Sequence, residues 1–299
     1  MSMRPINLAI TLASMLLAAC TSVRELQNPG FYSRQVTIES RGVQVPATYV
    51  VPLAAGAHPV LVMAHGHGGT RDEAGGFVRV AEALGRLGVA SIRMDFPGCG
   101  ESTESFAENN LDNMLRDIKS ARAYALAQSG ADSKRVGLLG YSIGGRLAMM
   151  ATGQDAYTAL ALWAPVGDRD TMVQFLGGPE AWQRHKASAR TQDSTVFTTP
   201  WGDQQQLGIE FFTDLERSAP LDSIKMFSGP VLVVYGDQDQ VVAPQVSLSV
   251  ADAARASAQV VRREITGADH GLGFYSGEAA HAAQVISTTV RFLSKSLAQ

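Results

Sequence analysis

The chain has 299 residues, of which 45% are hydrophobic and 18% are charged, and its formal net charge is −3. These proportions are those of a folded globular protein, and a chain of this length buries enough surface to need no disulfide or metal to hold it together. The near-neutral charge, with no basic cluster, argues against nucleic acid as a partner, because phosphate binding needs clustered lysine and arginine.

The first twenty residues have the pattern of an export signal. Arg4 precedes a largely apolar run at residues 6–17. Such a run is too short to cross a bilayer core of roughly 30 Å as a helix, but it suits a signal peptide. The Leu-Ala-Ala-Cys segment at residues 17–20 resembles a bacterial lipobox. That resemblance implies cleavage before Cys20, lipidation of its thiol and anchoring in a membrane; an ordinary secretory signal with an incidental Cys20 is the alternative.

Threonine rather than aspartate follows Cys20. Among lipoproteins this favours the outer membrane, with the protein facing the periplasm. Cys99 is the only other cysteine, so acylation of Cys20 would leave it as a lone thiol. We expect Cys99 to be a small residue in a tight loop and not a nucleophile, because no activating base lies near it in the sequence.

After a predicted tether at residues 21–30, two β-rich runs at residues 35–39 and 43–51 flank a turn and predict an antiparallel hairpin. Short apolar runs then alternate with helical periods. Further strands are predicted at residues 60–64, 89–94, 136–139, 159–163, 231–235 and 260–265. Helices are predicted at residues 77–87, 111–127, 145–151, 244–256 and 278–297. This alternation predicts an α/β domain over residues 31–299, with a mostly parallel sheet, helices on both faces and ligands at the carboxyl ends of the strands.

The alternation fails between about residues 166 and 224, and we interpret this stretch as a cap insertion over that edge of the sheet. Six aromatic residues stand among its polar ones: Phe175, Trp182, Phe197, Trp201, Phe211 and Phe212. They could contact a bulky apolar substrate, or they could form the core of the cap itself, which is the more common role of such residues.

A Gly-Tyr-Ser-Ile-Gly segment at residues 140–144 follows a predicted strand and precedes a predicted helix. In that context the Gly-x-Ser-x-Gly pattern indicates a nucleophile elbow, a strained turn that exposes a serine hydroxyl above the sheet. Ser142 is therefore the predicted nucleophile. The positive end of the following helix would point at the site.

A serine hydroxyl needs a general base, and six histidines are available. His270 is the one that follows the last predicted strand, which places it at the carboxyl edge of the sheet. The acid that orients the base should lie between nucleophile and base along the chain. Asp237 and Asp239 both follow the strand at residues 231–235, and the residues alone do not separate them.

Backbone N–H groups should stabilise the negative charge that develops on the attacked carbonyl oxygen. The N–H of Ile143 is one predicted donor, and the second should come from the glycine-rich loop at residues 65–70. His65, His67 and Asp72 could instead suggest a metal site. Alternate histidines without a third spaced ligand are a weak metal signal, so we predict neither metal nor cofactor.

Four segments together resemble bacterial carboxylesterases of the α/β-hydrolase superfamily, in the cinnamoyl/feruloyl-esterase and serine-aminopeptidase-like branch. They are His-Gly-His-Gly-Gly at residues 65–69, the Asp-x-x-Gly-x-Gly-x-Ser stretch within residues 93–102, Gly-x-x-Asp-x-x-Val-x-Pro at residues 236–244 and Ala-Asp-His at residues 268–270. The resemblance covers nearly all of residues 35–299 and implies the α/β-hydrolase fold.

The resemblance also assigns residues. It places the second oxyanion donor at the N–H of His67 and favours Asp239 as the acid. The branch usually carries an aromatic or apolar residue at the position of His67 and often a histidine at the position of Cys99.

The expected activity is therefore hydrolysis of a small-molecule carboxylic ester by a Ser-His-Asp triad, through an acyl-enzyme. Three alternatives remain open. The same triad could cleave amide bonds as a peptidase, which would need acidic cap residues facing the site. It could act as an acyltransferase, or the chain could be a non-catalytic lipoprotein that serves as a binding module.

Overall fold

The computed structural model describes residues 30–298. The predicted signal segment, Cys20 and nearly all of the predicted tether lie outside these residues. None of the helices formed by residues 30–298 has the length and apolarity that crossing a bilayer requires.

Residues 30–298 form ten strands, of which eight belong to one large sheet and two to a separate hairpin. The strands are β1 (Phe31–Ser40), β2 (Val43–Pro52), β3 (His58–Ala64), β4 (Ala90–Met94), β5 (Ala131–Tyr141), β6 (Ala159–Trp163), β7 (Ser194–Thr198), β8 (Gln204–Gly208), β9 (Val231–Gly236) and β10 (Val260–Ile265). The order in the large sheet is β1-β2-β4-β3-β5-β6-β9-β10.

The predicted N-terminal hairpin is confirmed, and both of its strands are longer than predicted. β1 and β2 pair antiparallel, and Ser40 lies opposite Val43 at the turn. Both turn residues, Arg41 and Gly42, have positive φ angles (55° and 80°), as the two-residue turns that suit the twist of a hairpin require. β2 pairs antiparallel with β4, and the remaining pairs of the large sheet are parallel.

Nine α-helices and one short 3-10 helix lie within residues 30–298. They are α1 (Gly76–Arg86), the 3-10 helix (Phe106–Glu108), α2 (Leu111–Leu126), α3 (Ile143–Ala151), α4 (Asp170–Phe175), α5 (Pro179–Gln192), α6 (Ile209–Arg217), α7 (Pro220–Met226), α8 (Pro244–Ala253) and α9 (Ala279–Ser296).

Helices cover both faces of the sheet. Phe77 of α1 and Leu293 of α9 belong to one buried apolar cluster. Leu115 of α2, Leu147 of α3 and Val250 of α8 belong to a second cluster. Every residue of β3 and β4 is buried, as expected for strands covered on two sides. The predicted α/β architecture is thus confirmed.

The segment between β6 and β9, residues 164–230, departs from this alternation and is called the cap below. It contains α4 to α7 and the β7–β8 hairpin, elements that the sequence did not resolve. Trp182 and Phe212 are buried against each other, with ring centroids 5.0 Å apart, and Phe211 lies 5.4 Å from Phe212. These rings form a core within the cap. Trp201, by contrast, is 56% exposed.

Candidate active site

Four loops that carry the predicted site residues leave the same edge of the sheet. They follow β3, β5, β9 and β10, which run parallel through the centre and one side of the sheet. Because the carboxyl ends of parallel strands meet at one edge, residues distant in the sequence converge there.

Ser142 occupies a strained turn between β5 and α3, with φ 54° and ψ −118°. A positive φ at a non-glycine residue costs on the order of 1–3 kcal/mol and persists only where the surroundings enforce it. The N–H of Ser142 donates to Trp163 O at 2.8 Å, which ties the turn to β6. The flanking glycines permit the tight packing, since a Cβ at Gly140 would lie 2.2 Å from Gly144 O, and one at Gly144 only 2.0 Å from Ala64 O.

The side chains of Ser142, His270 and Asp239 form a continuous hydrogen-bonded chain. Ser142 Oγ lies 3.1 Å from His270 Nε2, and His270 Nδ1 lies 2.8 Å from Asp239 Oδ2. With the proton on Nδ1, the imidazole donates to the carboxylate, and Nε2 is left to accept the serine hydroxyl proton. The structure therefore brings together the predicted nucleophile, the predicted base and one of the two candidate acids.

The geometry distinguishes the two candidate acids. The carboxylate of Asp239 is buried, and its second oxygen, Oδ1, accepts the N–H groups of Val241 and Val242 at 2.8 Å each. Asp237 lies nearer the end of β9 and accepts the N–H of Gly267 at 2.6 Å. Asp239 contacts His270, whereas Asp237 binds the loop that leads to His270.

Tyr141 packs against His270, a contact that the sequence did not indicate. Its ring stacks on the imidazole of His270 with centroids 5.2 Å apart, and its hydroxyl donates to His270 O at 3.0 Å. Tyr141 directly precedes the nucleophile, so the variable position before the serine in the motif was the available signal. The imidazole is thus held by a carboxylate at one edge and by an aromatic ring at its face.

The loop after β3 lies beside the nucleophile. A Cβ at Gly66 would lie 3.5 Å from Ser142 Cβ and 2.8 Å from the ring of Tyr141. His67 follows Gly66, and Ile143 is the first residue of α3. The first N–H groups of a helix have no acceptor within the helix, so that of Ile143 remains available at the site.

Both ring nitrogens of His65 bind backbone groups. Its Nε2 accepts the N–H of Phe96 at 3.0 Å, so the proton lies on Nδ1, which donates to Gly66 O at 2.8 Å. Burial lowers the pKa of His65 to about 4, which keeps the ring neutral. Asp72, the other group weighed as a ligand, pairs with Arg93 at 3.0 Å. These side chains serve structural contacts.

The side chain of His67 points into the cap. Its Nε2 lies 2.7 Å from Gln205 Oε1 on β8. Its ring centroid lies 5.3 to 5.7 Å from those of three phenylalanines, Phe106, Phe175 and Phe211. Burial lowers the pKa of His67 to about 4. A neutral imidazole therefore stands at the position where the resemblance leads us to expect an aromatic or apolar side chain.

Cys99 is a buried free thiol, as expected for a residue in a tight loop. Burial raises its pKa to about 12, so the thiolate is not formed at neutral pH. Asn109 Nδ2 lies 3.6 Å from its sulfur.

Comparison with known proteins gives a family match and a relative of similar length. A model of the alpha/beta hydrolase family matches residues 61–285. An Escherichia coli protein described as an uncharacterized 31.7 kDa protein in the traX-finO intergenic region is 26% identical in an alignment of 237 positions that covers 70% of this chain and 82% of that protein.

Two solved structures extend the comparison. Est1E from Butyrivibrio proteoclasticus, with ferulic acid bound, superposes with a TM-score of 0.69 and 22% identity over 88% of this chain and 100% of that one. Acylaminoacyl peptidase from Pyrococcus horikoshii superposes with a TM-score of 0.67 and 17% identity over 89% of this chain and 41% of that one. At these identities the two structures establish a shared fold, and the predicted α/β-hydrolase fold is confirmed. With a family model that matches most of its length, the chain belongs to the alpha/beta hydrolase family.

Proposed function

We propose that the protein is a serine esterase that hydrolyses small carboxylic esters through an acyl-enzyme. The observation that carries the proposal is the continuous chain from Ser142 Oγ through His270 to Asp239, with links of 3.1 and 2.8 Å. This arrangement supplies an activated hydroxyl, a base able to move its proton and a carboxylate that stabilises the resulting imidazolium.

In the first step His270 Nε2 takes the proton of Ser142 as Oγ attacks the ester carbonyl. Collapse of the tetrahedral intermediate breaks the ester C–O bond, and His270 passes the proton to the departing alcohol. Water then attacks the acyl-enzyme with His270 as base, which releases the acid and restores the serine. Asp239 keeps the proton on Nδ1 throughout.

The backbone N–H groups of His67 and Ile143 are the proposed oxyanion donors. The proposal is supported by the position of Ile143 at the start of α3 and by the close approach of Gly66 to Ser142. In other serine hydrolases, loss of one such donor costs roughly 3 kcal/mol of transition-state stabilisation.

The environment of His67 favours an ester with a bulky apolar group. Phe106 and Phe175 are only partly buried, and their rings contact the imidazole of His67, the residue whose N–H is the proposed donor. The ferulic acid bound to Est1E is an aromatic carboxylic acid, in keeping with such a pocket. Trp182, Phe211 and Phe212 pack on one another and are assigned to the core of the cap.

Amide cleavage by the same triad is the second candidate, and the fold shared with an acylaminoacyl peptidase is its support. A peptidase that binds a free amino terminus would need a carboxylate facing the site. Two of the candidate acids bind elsewhere: Glu216 pairs with Lys186 and Asp214 with Arg217. Glu180, Asp193, Asp203 and Glu210 are solvent-exposed. We therefore favour ester hydrolysis over amide cleavage as the proposed activity.

Matched substrates test the proposal. Purified protein is assayed with a nitrophenyl ester and with the nitroanilide of the same acid, with Ser142→Ala as the control. Ester turnover that the variant abolishes supports the esterase, whereas preferential anilide turnover would support the peptidase. Transfer of the acyl group to an added alcohol in preference to water would identify an acyltransferase, and no turnover of any substrate would support a binding module.

We further infer that the protein is exported and anchored in the outer membrane by lipidation of Cys20, facing the periplasm. The lipobox-like segment at residues 17–20 supports this. Cells that express the protein with its signal segment and are fed a tagged fatty acid should label the processed protein, and Cys20→Ala should remove both the label and the membrane association. Unlabelled wild-type protein recovered in the soluble periplasmic fraction would contradict the anchor.

A further inference from the structure

Glu73 is a buried carboxylate beside the site that the proposed mechanism does not use. It lies in the turn between the loop after β3 and the start of α1, and it is 1% exposed. Its Oε2 accepts the N–H of Gly66 at 2.7 Å. Its Oε1 accepts a hydrogen bond from the hydroxyl of Tyr275.

These two hydrogen bonds join the two loops that flank the nucleophile. Gly66 immediately precedes His67, the proposed oxyanion donor, and lies against Ser142. Tyr275 belongs to the loop that carries His270, and its Cβ lies 3.2 Å from the position of a Cβ on Gly271. Glu73 therefore sets where the oxyanion loop lies relative to the loop of the base.

Backbone strain and loss of hydration both disfavour the observed position of the Glu73 carboxylate. Glu73 and the following Ala74 both have left-handed φ angles, 46° and 48°. Such angles are unfavourable for residues with a Cβ, and removing a carboxylate from water is costly as well. Concentrated strain next to a reacting group points to a functional constraint.

The charges around Glu73 belong to the site. Tyr275 and His270 lower the pKa of its carboxyl, against the larger opposing effect of burial. The charge of Glu73 in turn raises the pKa values of Tyr141 and Cys99, in addition to the effect of their burial. His270 is the one cation among these groups when it is protonated. An ionised Glu73 and a protonated His270 attract each other.

We propose that Glu73 is a positioning residue of the esterase: it holds the oxyanion loop through the N–H of Gly66 and ties that loop to the loop of His270 through Tyr275. The inference rests on the proposed esterase activity. It implies that removing the carboxyl lowers kcat more than it raises KM, because the donors act mainly on the transition state.

The proposal also implies a signature in the pH profile. Burial raises the pKa of Glu73 to about 7. The ionised carboxylate is the stronger acceptor for the N–H of Gly66, so the loop is held best above that pH. The pH profile of kcat in the wild type should contain an ionisation near pH 7 that Glu73→Gln lacks. A residue that only stabilised the fold would not alter the profile.

The test compares Glu73→Ala, Glu73→Gln and Tyr275→Phe with Glu82→Gln as the matched control, because Glu82 is a partly exposed acid on the adjoining helix α1. We expect Glu73→Ala to lower kcat about 30-fold or more with little change in KM. The binding of an arylboronic acid, which mimics the tetrahedral intermediate, should weaken by a similar factor. Glu73→Gln retains an acceptor for Gly66 and should lose less. The control should match the wild type.

Amide hydrogen exchange of residues 65–70 supplies a readout that does not depend on turnover. Exchange should accelerate in Glu73→Ala and Tyr275→Phe but not in Glu82→Gln. Wild-type exchange, kcat and pH profile in folded Glu73 variants would overturn the proposal; if Glu73→Ala does not fold, Glu73→Gln and Tyr275→Phe decide. A wild-type protein that cleaves no ester and is not labelled at Ser142 by a fluorophosphonate refutes the esterase itself, a result distinct from equal behaviour of active variants.

Discussion

The side chain of Gln205, on the β7–β8 hairpin of the cap, binds the imidazole of His67, in the loop beside the nucleophile. The distance from His67 Nε2 to Gln205 Oε1 is 2.7 Å. A Cβ on Gly68 would lie 2.5 Å from Gln205 Nε2, so the amide also rests directly on that loop. The side chain of Gln205 therefore links the cap directly to the proposed oxyanion loop.

Breaking this link should affect large substrates most. Gln205→Ala leaves the imidazole without its partner inside an aromatic shell, at a cost on the order of 1–2 kcal/mol. We expect kcat/KM for a bulky aryl ester to fall about tenfold and that for an acetyl ester by less than about threefold. Steady-state kinetics with both esters check this, and Gln206→Ala, an exposed neighbour on the same strand, is the control. Equal losses for the two esters would contradict a role in substrate selection.

The two aspartates after β9 should differ sharply in function. Asp239→Asn keeps the shape of the side chain but removes the charge that fixes the imidazole tautomer, and the equivalent change in another serine hydrolase costs about 10⁴ in kcat. We expect Asp239→Asn to lower kcat by about 10³ to 10⁴. Asp237→Asn should lose less than about tenfold, because Asp237 binds Gly267 and not the base. The reverse ranking would identify Asp237 as the acid.

Arg146 of α3 links two segments of the cap that are distant in the sequence. Its guanidinium is buried and donates to Asp168 O at 3.0 Å, to Ser218 O at 3.1 Å and to Ser218 Oγ at 2.7 Å. Burial lowers its pKa to about 10, so the side chain remains charged at neutral pH.

Removing this buried cation should destabilise the protein. Arg146→Met leaves several buried carbonyl groups without a donor, and we expect a loss of about 3 kcal/mol in the free energy of unfolding. Urea denaturation measures this change. Arg169→Met provides the comparison, because its ion pair with Asp170 is exposed and should contribute less than about 1 kcal/mol. Equal stabilities would show that Arg146 is dispensable.

Stability should depend on pH through the two buried histidines of the oxyanion loop. Burial lowers the pKa values of His65 and His67 from their ordinary 6.5 to about 4. Between pH 6.5 and 4 the unfolded chain binds two protons that the folded chain does not, so stability falls as the pH falls through this window.

Glu73 acts in the opposite direction. Its folded pKa of about 7 lies above the ordinary 4.5, so its contribution to stability is greatest below pH 4.5 and falls as the pH rises to 7. Two histidines outweigh one carboxyl, and the net effect is loss of stability in acid. His67→Phe, which keeps an aromatic ring but removes the titratable nitrogens, should reduce the loss of stability between pH 7 and pH 5. Urea denaturation midpoints at the two pH values measure the loss of stability. An equal difference between the two midpoints in the variant and the wild type would show that His67 does not contribute to the pH dependence.

The sequence predicted the parts of the site that depend on local structure. The elbow at Ser142 follows from a turn between a strand and a helix, and His270 follows from its place after the last strand. Both depend on short-range patterns and on the rule that parallel strands present their carboxyl ends together. Asp239 required the resemblance to known esterases, since two carboxylates lie in the same loop.

The supporting contacts were not predictable, because they join residues far apart in the chain. Tyr275 and Glu73 are 202 residues apart, and His67 and Gln205 are 138 apart. The strand that carries Gln205 is glutamine-rich and has little intrinsic preference for a sheet. Its pairing with β7 and the contacts of its buried face determine its structure, and neither is visible in a single sequence.

Covalent labelling of Ser142 tests the central claim most directly. A fluorophosphonate reacts with a serine only where a base activates the hydroxyl and donors stabilise the developing charge. We predict that mass spectrometry of the treated protein will find one phosphonate adduct, on the peptide containing Ser142, and that both the Ser142→Ala and the His270→Ala variants will carry none. Failure of the native protein to react, or an adduct on a different residue, would contradict the account.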